Sequence, residues 1–387
     1  PQVGTSVGSS TGTIPTLEGV SSSSATWRYA LAAFFIEGQR TTWPYSADFS
    51  QAGKDEAYIP AWKHVYTNPT SVTTEFTLYD PCREGYTFLG WYTNADFSGE
   101  RVTTINAETD GTLYAKWINN DWIITYTSTN GNIVTPNDVN VFGANIVNNT
   151  YENGVGTITF DGPVTSIGIR AFINRSSLTS ITIPNSITSI GTSAFYGCES
   201  LDSVNIPNSV NNLGWGAFRF CSSLKSIVIP NSVDSIGIYA FDGCTALSSI
   251  QVVADNPVFD SREDCNAIIE TATNTLVFGC KNTFIPDNVV SIGDYAFDTC
   301  VGLSSVTIPD SVTSIGRGAF YECSSLDLYI PNTITSLPIT TIRNCKNTYF
   351  KNQIDLVADI STNGTIHVPI EQVDSFRNTY SDYHIEG

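Results

Sequence analysis

A repeat with a constant step constrains the fold of this chain more than any other feature of its sequence. The glycine four residues before the Phe of an Ala-Phe pair, as Gly191, and the leucine six residues after it, as Leu201, keep a common register. Agreement of several registers predicts a solenoid, in which each coil buries its apolar edge against its neighbours. The repeated phenylalanines are the equally spaced Phe172, Phe195, Phe218 and Phe241, and then Phe297 and Phe320 at the same step.

Each repeat divides into a strand, a bend and a turn. Leu178, Ile181 and Ile183 indicate one short strand with its apolar side chains facing inward, and Pro184 ends the strand because proline donates no ladder hydrogen bond. We expect Gly191 to provide either a positive φ or a close approach of two backbones. Residues 194–198 fit one helical turn that places the Phe at the coil centre. The pattern predicts a right-handed solenoid of parallel strands stacked about 4.8 Å apart, with the helical turn on the opposite side.

The cysteines follow the same repeat. Nine is an odd number, which speaks against a complete set of disulfides, and no C-x₂-C spacing of a zinc site occurs. We therefore expect a column of buried, reduced thiols that fill space beside the phenylalanines. Outside the column lie Cys82, Cys265 and Cys280, of which Cys82 and Cys265 are the candidates for exposure. The column consists of Cys198, Cys221, Cys244, Cys300 and Cys323, and Cys345 joins it after a one-residue deletion.

One interruption and two flanking regions complete the organisation. Between Phe241 and Phe297 the spacing exceeds one period by the length of the segment 251–283, which is predicted as a hairpin insertion with its turn near Thr273 and Asn274. The predicted domains are a flexible Ser- and Gly-rich lead-in (1–24), one or more N-terminal β modules (25–117), a solenoid cap (118–160), the repeats (161–350) and a C-terminal cap (351–387).

The pattern L-x-x-I-x-I-P-x-x-V-x-x-I-G-x-x-A-F-x-x-C resembles the leucine-rich repeats of the BspA-like class over residues 122–387. Residues 75–117 contain two predicted strands with a period of two, at residues 87–92 and 113–117, separated by turn residues. Their motif GYTFLGWYTN…TLYAKW resembles the Listeria–Bacteroides, or internalin B-type, repeat. These resemblances imply a mainly β protein with short helical turns: a leucine-rich-repeat solenoid of about 23-residue coils behind a small β-grasp-like module.

Both resemblances imply a secreted or cell-surface protein that binds a host or microbial surface protein or glycan and performs no catalysis. Two alternatives remain open. The first is a structural subunit of a surface filament or phage tail, and the second is an accessory region of an exported enzyme.

The charge balance limits the partners. Lys and Arg total 18 against 37 Asp and Glu, for a net charge of −19. Such a surface repels phosphate backbones and anionic lipids, so we expect no nucleic acid partner. No run of 18 apolar residues occurs, so we also expect no direct membrane insertion of this chain.

No motif for catalysis is found. The histidines, His64, His367 and His384, lie far apart in the sequence, and no nucleophile elbow, phosphate loop, zinc motif or calcium loop accompanies them. We therefore expect no catalytic residue, no metal site and no cofactor.

Two stripes of the repeat are candidates for a binding surface. One follows the solvent-facing strand positions, which are mostly small and uncharged: Thr182, Asn205, Val228 and Thr307, with Asp202 and Lys225 nearby. The other holds the ring and guanidinium side chains that interface hot spots favour, and its members are Trp215, Tyr239, Tyr295 and Arg317.

Overall fold

The chain forms two compact units, residues 1–120 and 121–387. The computed structural model describes residues 20–22, 25–28, 35–36, 39–40, 56–62, 76–78, 80, 82–105, 111–338, 340–351, 355–356, 364–379 and 384–387. The predicted lead-in lies outside these ranges except for residues 20–22. Within the described ranges, no helix is long and apolar enough to cross a membrane.

The first unit is built from antiparallel strands. The strands are β1 (Val20–Ser22), β2 (Ala25–Arg28), β3 (Phe35–Ile36), β4 (Gln39–Arg40), β5 (Glu56–Trp62), β6 (Phe76–Thr77), β7 (Cys82–Arg83), β8 (Tyr86–Tyr92), β9 (Thr104–Ile105) and β10 (Gly111–Asn119). The six-stranded sheet has the order β1-β2-β7-β8-β10-β5, and β3–β4 and β6–β9 form separate pairs. Trp91 and Ala115, which face each other across β8 and β10, are buried together with Leu113 and Trp117.

The second unit begins with a three-stranded antiparallel cap. After a 3₁₀ turn (Asn120–Trp122), β11 (Ile123–Ser128), β12 (Ile146–Glu152) and β13 (Val155–Phe160) pair in the order β12-β13-β11. β11 also pairs antiparallel with the first long strand of the solenoid, β15 (Leu178–Thr182). The cap thereby pairs a strand edge that would otherwise be open to association.

Every complete coil contributes one long and one short strand, and neighbouring coils pair in parallel along most of the solenoid, for example Ile181 with Val204. The expectation of parallel stacking is therefore confirmed. The further long strands are β17 (Ser203–Asn205), β19 (Ser226–Ile229), β21 (Ser249–Val252), β26 (Ser305–Thr307), β28 (Asp327–Ile330), β30 (Asn347–Phe350), β32 (Thr365–His367) and β33 (Ile385–Glu386). The short strands are β14 (Ser166–Ile167), β16 (Ser189–Ile190), β18 (Asn212–Leu213), β20 (Ser235–Ile236), β25 (Ser291–Ile292), β27 (Ser314–Ile315), β29 (Ser336–Leu337) and β31 (Asp355–Leu356).

The expected helical turn is a run of tight turns tied to the next coil. The amides of Ala194 and Tyr196 donate to carbonyls three residues earlier, at 3.2 Å each. The intervening amides of Ser193, Phe195 and Gly197 donate instead to the following coil, each at 2.8 Å. Ser193 and Gly197 have φ values of 53° and 68°, which a continuous α-helix does not contain.

The repeated glycine serves the close approach of two backbones and not a positive φ. A Cβ atom on Gly214 would lie 2.5 Å from the carbonyl carbon of Gly191, and one on Gly237 would lie 2.5 Å from the amide nitrogen of Trp215. Of the two roles expected for this position, only the close approach is found at Gly191, Gly214 and Gly237.

The insertion divides the core. β22 (Phe259–Asp260), a 3₁₀ turn (Arg262–Asp264), β23 (Ala267–Glu270) and β24 (Thr275–Gly279) form an antiparallel unit, and the predicted hairpin turn near Asn274 is confirmed. Ile268 of β23 packs with the N-terminal coils, whereas Ile269 packs with the C-terminal coils. Because successive strand residues face opposite ways, the hairpin forms a wall between two apolar clusters.

The C-terminal end keeps the parallel pairing. β32 and β33 extend the long-strand sheet beyond β30, and they are joined through a 3₁₀ turn (Ile370–Gln372) and the helix α1 (Val373–Thr379). Phe376 of α1 contacts Phe350, with ring centroids 6.2 Å apart, and so covers the last coil.

Candidate functional site

Aromatic rings from three coils meet on the turn face, which we define as the outer surface of residues 191–198, 214–221, 237–244, 293–300 and 316–323. The Trp215 and Tyr239 rings lie 5.6 Å apart edge to face, and the Tyr239 and Tyr295 rings lie 4.6 Å apart. Arg317 extends the row, with its guanidinium 6.0 Å from the Tyr295 ring. The structure thus brings together all four candidates of this stripe, and Trp215 is 42% exposed.

A second arginine, absent from the sequence candidates, holds the row together. The Arg219 guanidinium lies 4.7 Å from the Tyr239 ring and 4.8 Å from the Phe220 ring. Its Nε donates to Asp242 at 2.5 Å. Because one guanidinium contacts a carboxylate and several rings, its position is fixed before any partner arrives.

Buried carboxyl groups lie beneath the row. Burial raises the pKa of Asp242, although Arg219 opposes the shift. Burial, and then the charge of Asp242, raise the pKa of Asp298 to about 7. Burial likewise raises the pKa of the Tyr239 hydroxyl.

The junction beneath these rings has a weaker backbone connection than its neighbours. The amides of Gly216, Phe218 and Phe220 bond the coil that follows them. In the described ranges this ladder does not continue from residues 239, 241 and 243 to the coil of Phe297. Side chains therefore make the contact between the two coils on the turn face.

The candidates of the other stripe lie on the sheet face, defined as the outward face of the long strands. Thr182, Asn205, Val228 and Thr307 occupy equivalent positions and are exposed. Asp202 and Lys225 come from adjacent coils and form an ion pair of 3.5 Å. Pro207 and Asn208 line, with Asn205, a shallow depression of about 480 Å³.

This exposed column continues into rings that the sequence analysis did not include. Thr307 pairs in register with Tyr329, Tyr329 with Tyr349, and Tyr349 with His367. The three rings stack face to face, with centroids 4.4 and 4.3 Å apart. The sequence does contain a signal for Tyr329. A proline follows it by two residues, so Tyr329 takes the place of x in the repeated Ile-x-Ile-Pro, which is the exposed strand position.

Two histidines come together despite their separation in sequence. His384 Nε2 lies 2.9 Å from a carboxylate oxygen of Glu386, and His367 Nδ1 lies 3.7 Å from the other oxygen. His64 lies outside the described residues.

The residues predicted to fill the core lie as follows. All six repeated phenylalanines are buried, and the rings of Phe195 and Phe218 stack 5.2 Å apart. Four cysteines of the column, Cys198, Cys221, Cys244 and Cys323, are buried, as is Cys345, whereas Cys300 is half-buried. The suggestion that Cys265 is exposed is wrong, because the insertion lies within the core and buries this thiol completely. The Cys82 side chain lies outside the described residues.

Two family models match the chain. The BspA-type leucine-rich repeat region matches with six copies, over residues 131–262 and 277–364, which is more than half of the chain. The Listeria–Bacteroides repeat domain matches residues 45–116 and so includes β5, which lies before the boundary at residue 75 that the sequence analysis gave. No curated protein matches the chain.

Several solved structures are similar to this chain. A leucine-rich repeat protein from Eubacterium ventriosum is 24% identical over 54% of this chain and 64% of its own, with a TM-score of 0.44. The pneumococcal vaccine antigen PcpA is 19% identical over 57% of this chain and 70% of its own, with a TM-score of 0.41. A leucine-rich cell surface protein from Faecalibacterium prausnitzii is 26% identical over 61% and 85%, with a TM-score of 0.32. The chain thus spans less than two thirds of the Eubacterium protein.

The match to the repeat model agrees with the stacked coils, the parallel strands and the buried phenylalanines described above. The chain therefore belongs to the BspA-type leucine-rich repeat family, and it carries a Listeria–Bacteroides repeat domain ahead of the repeats.

Proposed function

We propose that this chain is a non-catalytic binding protein that acts at a bacterial surface or outside the cell. Its partner is a host or microbial surface protein, bound through the turn face. The observation that carries the proposal is the row formed by Trp215, Tyr239 and Tyr295, with Arg219 fixed among the rings.

The chemistry of this row favours a protein partner. Trp, Tyr and Arg are enriched among the few residues that dominate the energy of protein interfaces. The coils of Trp215 and Tyr239 are joined by backbone hydrogen bonds, and Arg219 holds the Tyr239 ring in place, so little conformational entropy is lost when a partner binds. The net charge of −19 favours a partner with basic groups over nucleic acid.

The state of the cysteines supports a role without catalysis. A nucleophilic cysteine reacts as the thiolate and usually has a lowered pKa. Burial instead raises the pKa of Cys198 and of Cys345 to about 12. These thiols are placed to fill space in the coils and not to attack a substrate.

An array of immobilised extracellular-matrix and bacterial surface proteins, probed with the full chain, tests the proposal. We expect retention on at least one protein and loss of that signal for Trp215→Ala, which removes an exposed ring without disturbing the core. Asn205→Arg is the matched control on the sheet face and should leave the signal unchanged. Equal signals for the wild type and Trp215→Ala would rule out the turn face as the binding surface.

A further inference from the structure

The sheet face changes character along its length. At β26 its exposed column presents the small side chain of Thr307, whereas the next strands, β28, β30 and β32, present Tyr329, Tyr349 and His367. These four strands pair in register, so their side chains stand about 4.8 Å apart along one line. The row of three rings thus begins directly beside the small side chain of Thr307.

Of these three rings, only Tyr329 has a face that is open to solvent on the side of Thr307. Tyr349 is covered by Tyr329 on one side and by His367 on the other. Strand β28 lies between β26 and β30, so the second face of Tyr329 is directed toward Thr307. The small Thr307 side chain leaves this face open, and Tyr329 is 51% exposed.

Hydrogen-bonding groups stand beside the open ring. Asp327 lies two residues before Tyr329 on β28 and therefore on the same face of the strand, about 7 Å along it. Its carboxylate accepts from Lys346 Nζ at 3.0 Å and from Asn347 Nδ2 at 2.7 Å. The hydrogen bond from Lys346 lowers the pKa of Asp327, so the carboxylate stays a charged acceptor. Ser305, the register partner of Asp327, adds an exposed hydroxyl.

The charges of this region select among ligand classes. Lys346 is paired with Asp327, and Glu386 is paired with the histidines, so neither an anion nor a cation finds a concentrated opposite charge here. An apolar peptide would need an apolar surface beside the ring, but the neighbouring exposed residues of β26 are Ser305 and Thr307. A hexose ring presents an aliphatic face for stacking on an aromatic ring and hydroxyls for carboxylate, amide and ammonium groups.

We propose that the sheet face binds a neutral hexose unit of a glycan, stacked on the open face of Tyr329 above Thr307. Asp327 accepts hydrogen bonds from its hydroxyls, and Lys346 and Asn347 hold that carboxylate in place. This site is separate from the turn face and goes beyond the function proposed above.

The test uses the full chain and three immobilised neutral hexasaccharides, of β-linked glucose, α-linked mannose and β-linked galactose. Sialylated and sulfated hexasaccharides serve as acidic probes. We expect binding to at least one neutral probe, and a loss of about tenfold or more for Tyr329→Ala, as removal of one stacking contact predicts. Tyr329→Phe, which keeps the ring, should stay within about threefold of the wild type.

Two further variants make the result decisive. Thr307→Phe fills the space in front of Tyr329 at an exposed position and should abolish binding while the thermal unfolding curve stays that of the wild type. Trp215→Ala, on the turn face, should bind the sugars as the wild type does, even if it loses a protein partner. The proposal is overturned if no neutral hexasaccharide binds, if only acidic probes bind, or if both Thr307→Phe and Tyr329→Ala retain wild-type affinity.

Discussion

At the scale of single residues, one buried ring decides how each coil is filled. Phe218 lies between the parallel rings of Phe195 and Phe241, with centroids 5.2 and 5.8 Å away, and it is fully buried. A single-layered coil has no second layer of side chains to move into the space that a lost ring leaves. The stability of the solenoid therefore depends strongly on these buried phenylalanines, and the sequence repeat identifies their positions.

Phe218→Ala should lower the free energy of unfolding of the solenoid by about 3–5 kcal/mol, the range for large-to-small changes in a core. Urea unfolding followed by circular dichroism measures it. Phe284→Ala is the control, because this ring is 44% exposed and its loss leaves no internal cavity. Comparable losses for the two variants would contradict the burial of Phe218.

A buried carboxyl group makes a second prediction at this scale. The folded chain raises the pKa of Asp298 to about 7, whereas an unfolded chain holds Asp near 3.9. Folding therefore takes up a proton between about pH 4 and pH 7, and this component of the unfolding free energy falls as pH rises through that window. The slope is at most about 1.4 kcal/mol per pH unit.

Asp298→Asn removes the ionisable group and should flatten the pH dependence of the unfolding free energy between about pH 4 and pH 7. Its stability relative to the wild type should therefore improve as pH rises. Chemical denaturation at several pH values measures this, with the exposed Asp234→Asn as a control that removes the same charge. Parallel curves for wild type and Asp298→Asn would contradict the raised pKa.

At the scale of structural elements, the column of thiols behaves as one feature. The Sγ of Cys198, Cys221 and Cys323 each donates to the carbonyl oxygen of a phenylalanine 26 residues earlier, at 3.0–3.2 Å. This repeated contact ties each turn segment to the core of the preceding coil. It explains why a small, weakly polar side chain fits this position.

Iodoacetamide should leave the column thiols unmodified in the native protein at pH 8. A thiol with a pKa of about 12, as at Cys198, is ionised to roughly one part in ten thousand at that pH. Mass spectrometry of peptides labelled before and after denaturation gives the result. Fast native labelling of Cys198 or Cys221 would show that the column is open to solvent.

The insertion hairpin offers a matched pair of neighbouring residues. Ile268 and Ile269 are both fully buried, but they pack into different clusters. Ile268→Ala should weaken amide protection mainly in residues 166–252, and Ile269→Ala mainly in residues 291–350. Hydrogen exchange with mass spectrometry resolves the two regions. The same protection pattern in both variants would mean that the hairpin does not divide the core.

At the scale of the whole molecule, the regular part of the solenoid is what the sequence could predict. A constant repeat step fixes where Phe195 and Thr182 lie, because each coil places the same register in the same environment. The repeat does not predict where Tyr349 and His367 lie, because the last coils are shorter than the repeat. Their register partners therefore do not fall at the regular step.

The turn face was predictable only in part for a related reason. Tyr239 and Tyr295 lie on opposite sides of the insertion in the sequence, yet their rings are in contact. Their meeting depends on how the insertion leaves and rejoins the coil, which no periodic pattern encodes. Asp298, whose raised pKa depends on burial and on Asp242 across the same junction, was hidden for the same reason.

The most direct test of the account is hydrogen exchange of the full chain, alone and bound to a surface protein retained on the array. The turn face should become protected, most visibly at residues 239, 241 and 243, whose amides lack ladder bonds to the next coil in the described ranges. Exchange in β17, β19 and β26 should stay unchanged. Protection confined to those strands, with residues 214–221 and 237–244 exchanging as in the free chain, would contradict binding through the turn face.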